Sequence, residues 1–498
     1  MASEAEILAA RRKAAEELRA RGVDLFPARV PRDRTTIPEI LARFGTADAA
    51  ALEKADVSAC VAGRIVALRS FGKMAFATVQ GDGERLQLWL RKDALSAESW
   101  AEFQLYEVGD FAYARGKLVR TKKGELSLDV HELGFLAKSY RPLPEKWHGL
   151  QDVESRYRQR YLDVLTNPES RRAFVIRSRM ISAMREYLDA RGFLEVETPI
   201  LQPIYGGAHA RPFTTLHNTY DQKLFLRISF ELYLKRLIVG GFDRVYEIGR
   251  DFRNEGIDRK HNPEFTMLEV YQAYADYHDM MELVENMVAL CAERALGTPT
   301  LERDGVKLDL SQPWPRRKMV DLIRDACGID IERSAELDSL RAAVKQARVP
   351  NVDLETIHSW AGLVDAVFSE TVEPSLVAPT FVVDYPAALS PLAKRDPARP
   401  HMVERFEGFI GGMEICNAFS ELNDPDDQRV RFEEQAEAGR KGDAEAQPLD
   451  EDFLLALEHG MPPTGGMGLG VGRLAMILAG ASHLREVKLF PHLRPRDA

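Results

Sequence analysis

The sequence predicts a two-part α+β chain: a small N-terminal antiparallel β-barrel, then a larger domain in which strands and helices alternate. Three observations predict it. The chain has 498 residues, 45% of them hydrophobic and 29% charged, the balance of a globular protein of two or three domains. Short runs of strict apolar–polar alternation crowd into residues 57–136, and a period of 2 belongs to half-buried strands. From residue 168 onward, helical stripes and alternating runs succeed one another to the C-terminus.

The composition also excludes whole classes of function. No apolar run approaches the roughly 18 residues that a bilayer span needs. The first 22 residues carry four glutamates and no apolar core, which predicts an exposed helix at 4–21 and no targeting peptide. Cys60, Cys291, Cys327 and Cys416 are far apart in the chain. Such spacing predicts free thiols in a reducing cytoplasm, with neither a disulfide framework nor a structural zinc site. The 67 basic and 77 acidic side chains give a net charge of −10. Bulk charge therefore does not hold this protein on nucleic acid, although local patches remain open to it.

Within the barrel region, Ala75, Ala77 and Val79 share one face of a strand and Met74, Phe76 and Thr78 the other. Leu86, Leu88 and Leu90 oppose Arg85, Gln87 and Trp89, and Leu126, Leu128 and Val130 oppose Glu125, Ser127 and Asp129. Lys122-Lys123-Gly124 reads as the turn of a hairpin. The predicted outer face then carries Phe76, Trp89, Gln87 and Glu125. Exposed aromatics beside amides and carboxylates can stack on and read unpaired bases; the alternative is that Phe76 and Trp89 close the barrel core.

The Pro- and charge-rich segment 139–159 reads as a connection. A helix starts near Pro168, a favourable first-turn residue. Its stripe is Ile176, Met180, Met184, Tyr187 and Leu188, and Gly192 ends it. Residues 315–370 read as helical, and the charged run 429–446 as a solvated helix or a mobile loop.

Three stretches carry chemistry. In the first, a strand runs into Arg253-Asn254-Glu255, a polar loop follows, and a second strand begins near Pro263. Side chains alternate along a strand, so Phe265, Met267, Glu269 and Tyr271 share a face. An arginine fork, a flat aromatic and a carboxylate suit a nucleotide; a surface hairpin with ion pairs is the bland alternative. In the second, Ile415, Asn417, Phe419 and Glu421 alternate onto one face, while Glu407 and Glu414 flank Gly411-Gly412. Paired carboxylates beside a phosphate site are hard oxygen ligands suited to Mg²⁺, although two surface glutamates would look the same. In the third, Gly465, Gly466, Gly468, Gly470 and Gly472 precede Arg473 and an apolar helix. Glycine-rich backbone can approach a nucleotide closely, and an anion is favoured at a helix start. No Gly-Lys-Ser/Thr follows, so this is not a Walker A loop, and no acid completes a Rossmann unit.

In this order the stretches resemble the three motifs of the class II aminoacyl-tRNA synthetases. Motif 1 (about 168–200) ends in Glu197-Thr198-Pro199. Motif 2 (about 243–272) holds Arg253, Glu255 and Phe265, and motif 3 (about 464–480) runs to Arg473. Within subclass IIb the chain is most similar to the bacterial lysyl-tRNA synthetases. That resemblance rests on Gly206-Gly207-Ala208, Ala210-Arg211-Pro212-Phe213, Phe230-Glu231-Leu232-Tyr233-Leu234-Lys235 and Asn417 through Asp424. It covers nearly the whole chain.

The resemblance implies an OB-fold anticodon-binding domain at 1–145 and, at 146–498, a catalytic domain built on an antiparallel sheet flanked by helices. It implies ATP held by Arg253, Glu255, His261, Phe265 and Arg473, with Arg253 and Arg473 as the catalytic groups. Lysine falls to Gly207, Glu231, Glu269, Tyr271, Asn417, Phe419 and Glu421, and Mg²⁺ to Glu407 and Glu414. Arg69, Phe76, Gln87 and Glu125 match anticodon-reading positions, and a homodimer, tRNA(Lys) and no membrane are implied. Four residues depart from the family's usual pattern near the site: Gly472 stands for an acid, Lys260 for arginine, and Met413 and Cys416 for residues often Arg and small. Two rivals are a paralogue that attaches lysine or a related amino acid to a non-tRNA acceptor and a non-catalytic binding protein. The barrel argues against the first, and the retained ATP and metal positions against the second.

Overall fold

The computed structural model describes residues 3–144, 150–303, 305–311, 313–440 and 447–495. The expected boundary at 145/146 and the end of the charged run, 441–446, lie outside the described residues. The chain divides into two compact units, Met1–Pro168 and Glu169–Ala498.

The first unit is built around a closed five-stranded barrel. Its strands are Ser58–Phe71, Met74–Gly81, Glu84–Arg91, Phe111–Arg120 and Leu126–Ala137. The alternation read from the sequence gives the inside: Ala75, Ala77, Val79, Leu86, Leu88, Leu90, Leu128 and Val130 are all buried in one core. Phe76 and Trp89 lie outside that core, paired across adjacent strands with near-parallel rings 6.4 Å apart. The turn before Leu126 places Gly124 at φ +83°, a conformation glycine adopts without a Cβ clash. The N-terminal helix Glu4–Ala20 differs from expectation, since it is not simply exposed. Ala15 and Leu18 enter the barrel core. Arg11 beside them donates to the carbonyls of Ser139 and Val108, each at 2.9 Å. The segment read as a connection carries one short helix, Val153–Arg158, and a second, Arg160–Thr166, follows it.

The second unit is organised by a nine-stranded sheet. Six strands pair antiparallel in the order Thr380–Pro386, Arg399–Phe409, Glu414–Ser420, Thr464–Gly470, Glu264–Ala273 and Arg244–Phe252. Short parallel strands, Arg316–Lys318 and Leu194–Glu195, close the two edges, and Arg395–Asp396 pairs with Arg399–Phe409. One face packs into a large core. Tyr246, Leu268, Val270, Phe406, Cys416, Ala418, Met467 and Leu469 meet helices Pro168–Asp189, Tyr277–Leu296 and Val471–Ala479 there. The stripe predicted for the first of these helices is buried throughout. The opposite face carries the odd-numbered residues of Glu264–Ala273 and the even-numbered glycines of Thr464–Gly470. Helices Glu231–Val239 and Glu451–Glu458 flank it through a separate core.

A buried ion pair ties the start of this unit to its sheet. Arg227 Nη1 donates to Glu247 Oε1 at 2.7 Å and to the Thr198 carbonyl at 3.1 Å, and its Nε donates to the Arg250 carbonyl at 2.8 Å. The other Glu247 oxygen accepts from the backbone N–H and hydroxyl of Thr198, at 3.0 and 2.8 Å. Thr198 of the Glu-Thr-Pro sequence is thereby fixed against the strand that leads to Arg253. Truncating one partner of a buried pair strands the other charge. Arg227→Ala should therefore lower the unfolding free energy in denaturant by about 3–5 kcal/mol; an unchanged midpoint would contradict the assignment.

Candidate active site

The second unit encloses a cavity of about 740 Å³ on the open face of its sheet. Its floor follows from strand register. Gly466 is flanked by Tyr271 and Phe419, and Gly468 by Glu269 and Asn417, on the two neighbouring strands. A strand without side chains thus runs between two rows of functional side chains. A Cβ on Gly466 would stand 1.8 Å from Glu421 Oε1 and 2.6 Å from a Tyr271 ring carbon. Only glycine permits both groups to converge there.

One end of the cavity is acidic. Glu231, Glu269 and Glu421 are all buried. Glu269 accepts from the Ser229 hydroxyl at 3.0 Å and the Tyr271 phenol at 3.2 Å. Lys235 Nζ donates to Glu231 Oε1 at 2.6 Å and is also ion-paired with Glu421, whose Oε1 has no hydrogen-bond partner. Burial pushes the Glu269 and Glu421 carboxyls well above the ordinary carboxylate range, and Glu231 upward too. Mutual repulsion adds to the rise of Glu269, whereas Lys235 opposes that of Glu231 and Glu421. Carboxyls crowded in this way accept a cationic ligand at little cost, because the ligand replaces a proton. Gly207, at φ +87°, closes this end, and its N–H donates to Gln447 Oε1 at 2.9 Å.

The other end is basic. The Arg253 guanidinium lies 5.1 Å from the centre of the Phe265 ring, on the loop between the Arg244–Phe252 and Glu264–Ala273 strands. Arg473, near the start of Val471–Ala479, donates from Nη1 to Glu414 Oε2 at 2.7 Å, and its Nη2 lies 3.1 Å from His261 Nε2. Burial works against the Arg473 charge, but Glu414 outweighs it and holds the guanidinium above its ordinary value. Burial likewise opposes the charge of Glu414, and Arg473 holds that carboxyl low. Glu407 differs: burial pushes it up to about 7, although Arg405 Nη2 donates to its Oε1 at 2.5 Å. Tyr385 donates to the other Glu407 oxygen at 2.8 Å.

All of the residues expected at the lysine, ATP and metal positions line this one cavity. Arg69, Phe76 and Gln87 lie on neighbouring barrel strands, and Glu125 lies just before the Leu126–Ala137 strand. The Ser127 hydroxyl, two residues on, donates to Gln87 Oε1 at 2.8 Å. Among the four departures, Met413 and Cys416 are not at the cavity, as their place in the sequence suggested; both are buried in the core beneath the sheet. Gly472 does line it, but a Cβ there would meet Leu484 at 2.7 Å. An apolar side chain fills that space, and Glu414 with His261 orients Arg473 instead. Lys260 is ion-paired with Glu373.

Ser229, Arg405 and Gln447 also line the cavity, Lys235 lies behind its acidic end against Glu231 and Glu421, and all four escaped the sequence reading. Lys235 follows Glu231 by four residues, an i,i+4 pair legible on a helix. Arg405 precedes Glu407 by two, the strand period. Ser229 and Gln447 carried no signal. The glycine floor makes a direct prediction: Gly466→Ala should cost about 1–3 kcal/mol of stability by overpacking. Gly468→Ala should be tolerated, since its nearest neighbour is the flexible Met267 end at 3.3 Å. Equal thermal unfolding midpoints for the two variants would contradict this reading.

Comparison with known proteins agrees with this architecture. The family described as tRNA synthetases class II (D, K and N) matches residues 152–494, and the OB-fold nucleic acid binding domain matches 59–136. The lysine–tRNA ligase of Chloroflexus aurantiacus is 54% identical over 97% of this chain and 96% of its own length. That of Moorella thermoacetica is 50% identical over 99% of both, and that of Roseiflexus castenholzii 53% identical over 97% of both. With a glycine-floored cavity acidic at one end and basic at the other, and these matches along its length, the chain belongs to the class II tRNA synthetases.

Proposed function

We infer that this protein is a lysine–tRNA ligase, which activates L-lysine with ATP and transfers it to the 3′ end of tRNA(Lys). The observation that carries this reading is the cluster of Glu231, Glu269 and Glu421, buried opposite two arginines in one cavity. An unpaired buried charge is costly, so a site with these carboxylates selects an amino acid whose side chain is an ammonium. An anionic side chain such as that of aspartate would meet a net negative charge.

The lysine ammonium groups go to the acidic end, bounded by Gly207, Tyr271, Asn417 and Phe419. ATP takes the basic end, with adenine on Phe265 and its amino group near Glu255. Arg253 meets the α-phosphate, and Arg473, with His261, the γ-phosphate. A lysine carboxylate oxygen attacks the α-phosphorus; the bond to pyrophosphate breaks, and lysyl-adenylate remains. A ribose hydroxyl of the tRNA terminal adenosine then attacks the acyl carbonyl, and AMP leaves. Neither step needs a protein nucleophile: the arginines position the reactants and neutralise developing charge.

Glu407 and Glu414 fit a Mg²⁺ ion. They are two hard oxygen donors in one partly exposed site, and Glu414 helps to raise the Glu407 carboxyl. Among the described residues no cluster of three or more ligating side chains occurs, which suits an ion that takes one or two carboxylates and completes its shell with phosphates and water. When bound, it would supply charge neutralisation on the ATP phosphates.

The barrel unit, 1–145, takes the anticodon, with Phe76 stacking on a base and Arg69, Gln87 and Glu125 at its edges. A homodimer fits the exposed apolar residues around motif 1, including Leu194, Ile200, Leu201 and Phe242. The four free cysteines suit a reducing cytoplasm, and no helix among the described residues is long and apolar enough to cross a membrane.

ATP–pyrophosphate exchange with Mg²⁺ present tests this reading. Exchange should depend on lysine and fail with ornithine, arginine and aspartate. Arg253→Ala should slow it on the order of 10²-fold or more; wild-type exchange by that variant, or preference for another amino acid, would overturn the assignment.

A further inference from the structure

The acidic end of the cavity is backed by a cation. Lys235 projects from helix Glu231–Val239 one turn after Glu231, and its side chain has no solvent exposure. Its Nζ is bonded to Glu231 at 2.6 Å, ion-paired with Glu421 from beyond the Glu414–Ser420 strand, and 5.5 Å from the centre of the Phe419 ring. Glu269 and Tyr271 face this cluster from the Glu264–Ala273 strand, and Asp251 acts on Glu269 from the Arg244–Phe252 strand. Two other cations are committed elsewhere. Arg405 bonds Glu407 and Asn417, and Arg227 pairs with Glu247 and Asp251.

A charge count follows. Among the carboxyls that line this end, Glu231, Glu269 and Glu421, less the one charge that Lys235 cancels, leave two negative charges; Asp251, off the lining and sharing Arg227 with Glu247, is pushed toward its neutral form by burial. L-Lysine brings two ammonium groups, and its adenylate keeps both. We propose that Lys235 is a specificity-determining positioning residue, whose fixed ammonium trims the three pocket carboxylates to the two charges that a diammonium amino acid neutralises. This rests on lysine being the substrate. An amino acid with one ammonium leaves a buried carboxylate uncompensated, or forces it to keep a proton. Lys235 touches no reacting atom; it acts through Glu231 and Glu421.

The sign of the pH effect follows from the same contacts. Lys235 holds the carboxyls of Glu231 and Glu421 down against burial. Replacing it with a neutral side chain lets both rise further, so that the protons lysine displaces are held more tightly. The penalty is largest at low pH and fades as pH rises.

The test is exchange kinetics and binding calorimetry of the full-length protein, wild type against Lys235→Met, between pH 7.0 and 8.5. In the variant, KM for lysine should rise about tenfold or more at pH 7.0, with kcat at saturating lysine and KM for ATP within about twofold of wild type. The rise should shrink toward pH 8.5. Calorimetry in buffers of different ionisation enthalpy should show the same number of protons released per lysine bound in the two proteins, because the third carboxyl keeps its proton in the variant's complex. An unchanged KM, or a rise independent of pH and matched by a fall in kcat, would overturn the proposal and assign Lys235 a purely structural role. Lys235→Gln repeats the test if the Met variant does not fold, and failure of both to fold would also overturn it. Absence of lysine-dependent exchange in the wild type would remove the substrate reading; normal wild-type exchange with an indifferent variant removes this proposal alone.

Discussion

Three carboxylates share one buried end of the cavity, and they cannot all be charged there without cations. That constraint governs the rest of the site. It requires a strand whose glycines leave room for Glu421 and Tyr271 to converge, since a Cβ at Gly466 would overlap both. It requires Ser229 and Tyr271 to satisfy Glu269, and Lys235 to hold Glu231 and Glu421 together. What remains unsatisfied, including Glu421 Oε1, is left for the ligand. On the proposed reading, binding energy at this end is largely the replacement of protons by the ammonium groups of the substrate.

The basic end is managed by the opposite device. Arg473 is matched within the protein by Glu414 and held beside His261, so the guanidinium is oriented before a phosphate arrives. Preorganised charge of this kind stabilises developing negative charge without reorganisation at the moment of reaction. The contact between Glu414 and Arg473 also shows why Gly472 is tolerated. Orientation comes from across the sheet, not from the residue preceding the arginine, and Leu484 occupies the space that an acid would need. The Arg227–Glu247 pair, on the cavity face of the sheet, links the Glu-Thr-Pro turn to the strand that presents Arg253. The two ends therefore stand on one rigid frame.

Much of this was legible in the sequence because it is periodic. Period-2 runs located the barrel strands and divided their faces, with Phe76 and Trp89 outside and Leu86, Leu88 and Leu90 within. The same alternation placed Phe265, Glu269 and Tyr271 on one face and Asn417, Phe419 and Glu421 on another, and the structure brings both rows to one cavity. Identifying what that cavity holds relied on resemblance, since spacing alone left a surface hairpin open. Failures occurred where contacts are non-local. Arg227 and Glu247 are 20 residues apart and meet a backbone turn 29 residues before Arg227, which no local pattern records. The N-terminal helix looked exposed because its buried stripe is short and polar-edged: Arg11, Ala15 and Leu18. Cys416 looked close to the site, yet it lies one residue from Asn417 and so faces the core.

The central claim is that the buried carboxylates select the side-chain ammonium of the amino acid. Equilibrium binding of L-lysine against L-norleucine, which keeps the chain length and loses only the ammonium, tests it most directly. The account predicts that lysine binds more tightly by about 3–5 kcal/mol, the cost of leaving one buried charge without its partner. Affinities for the two within a factor of about ten, near 1.4 kcal/mol, would contradict it.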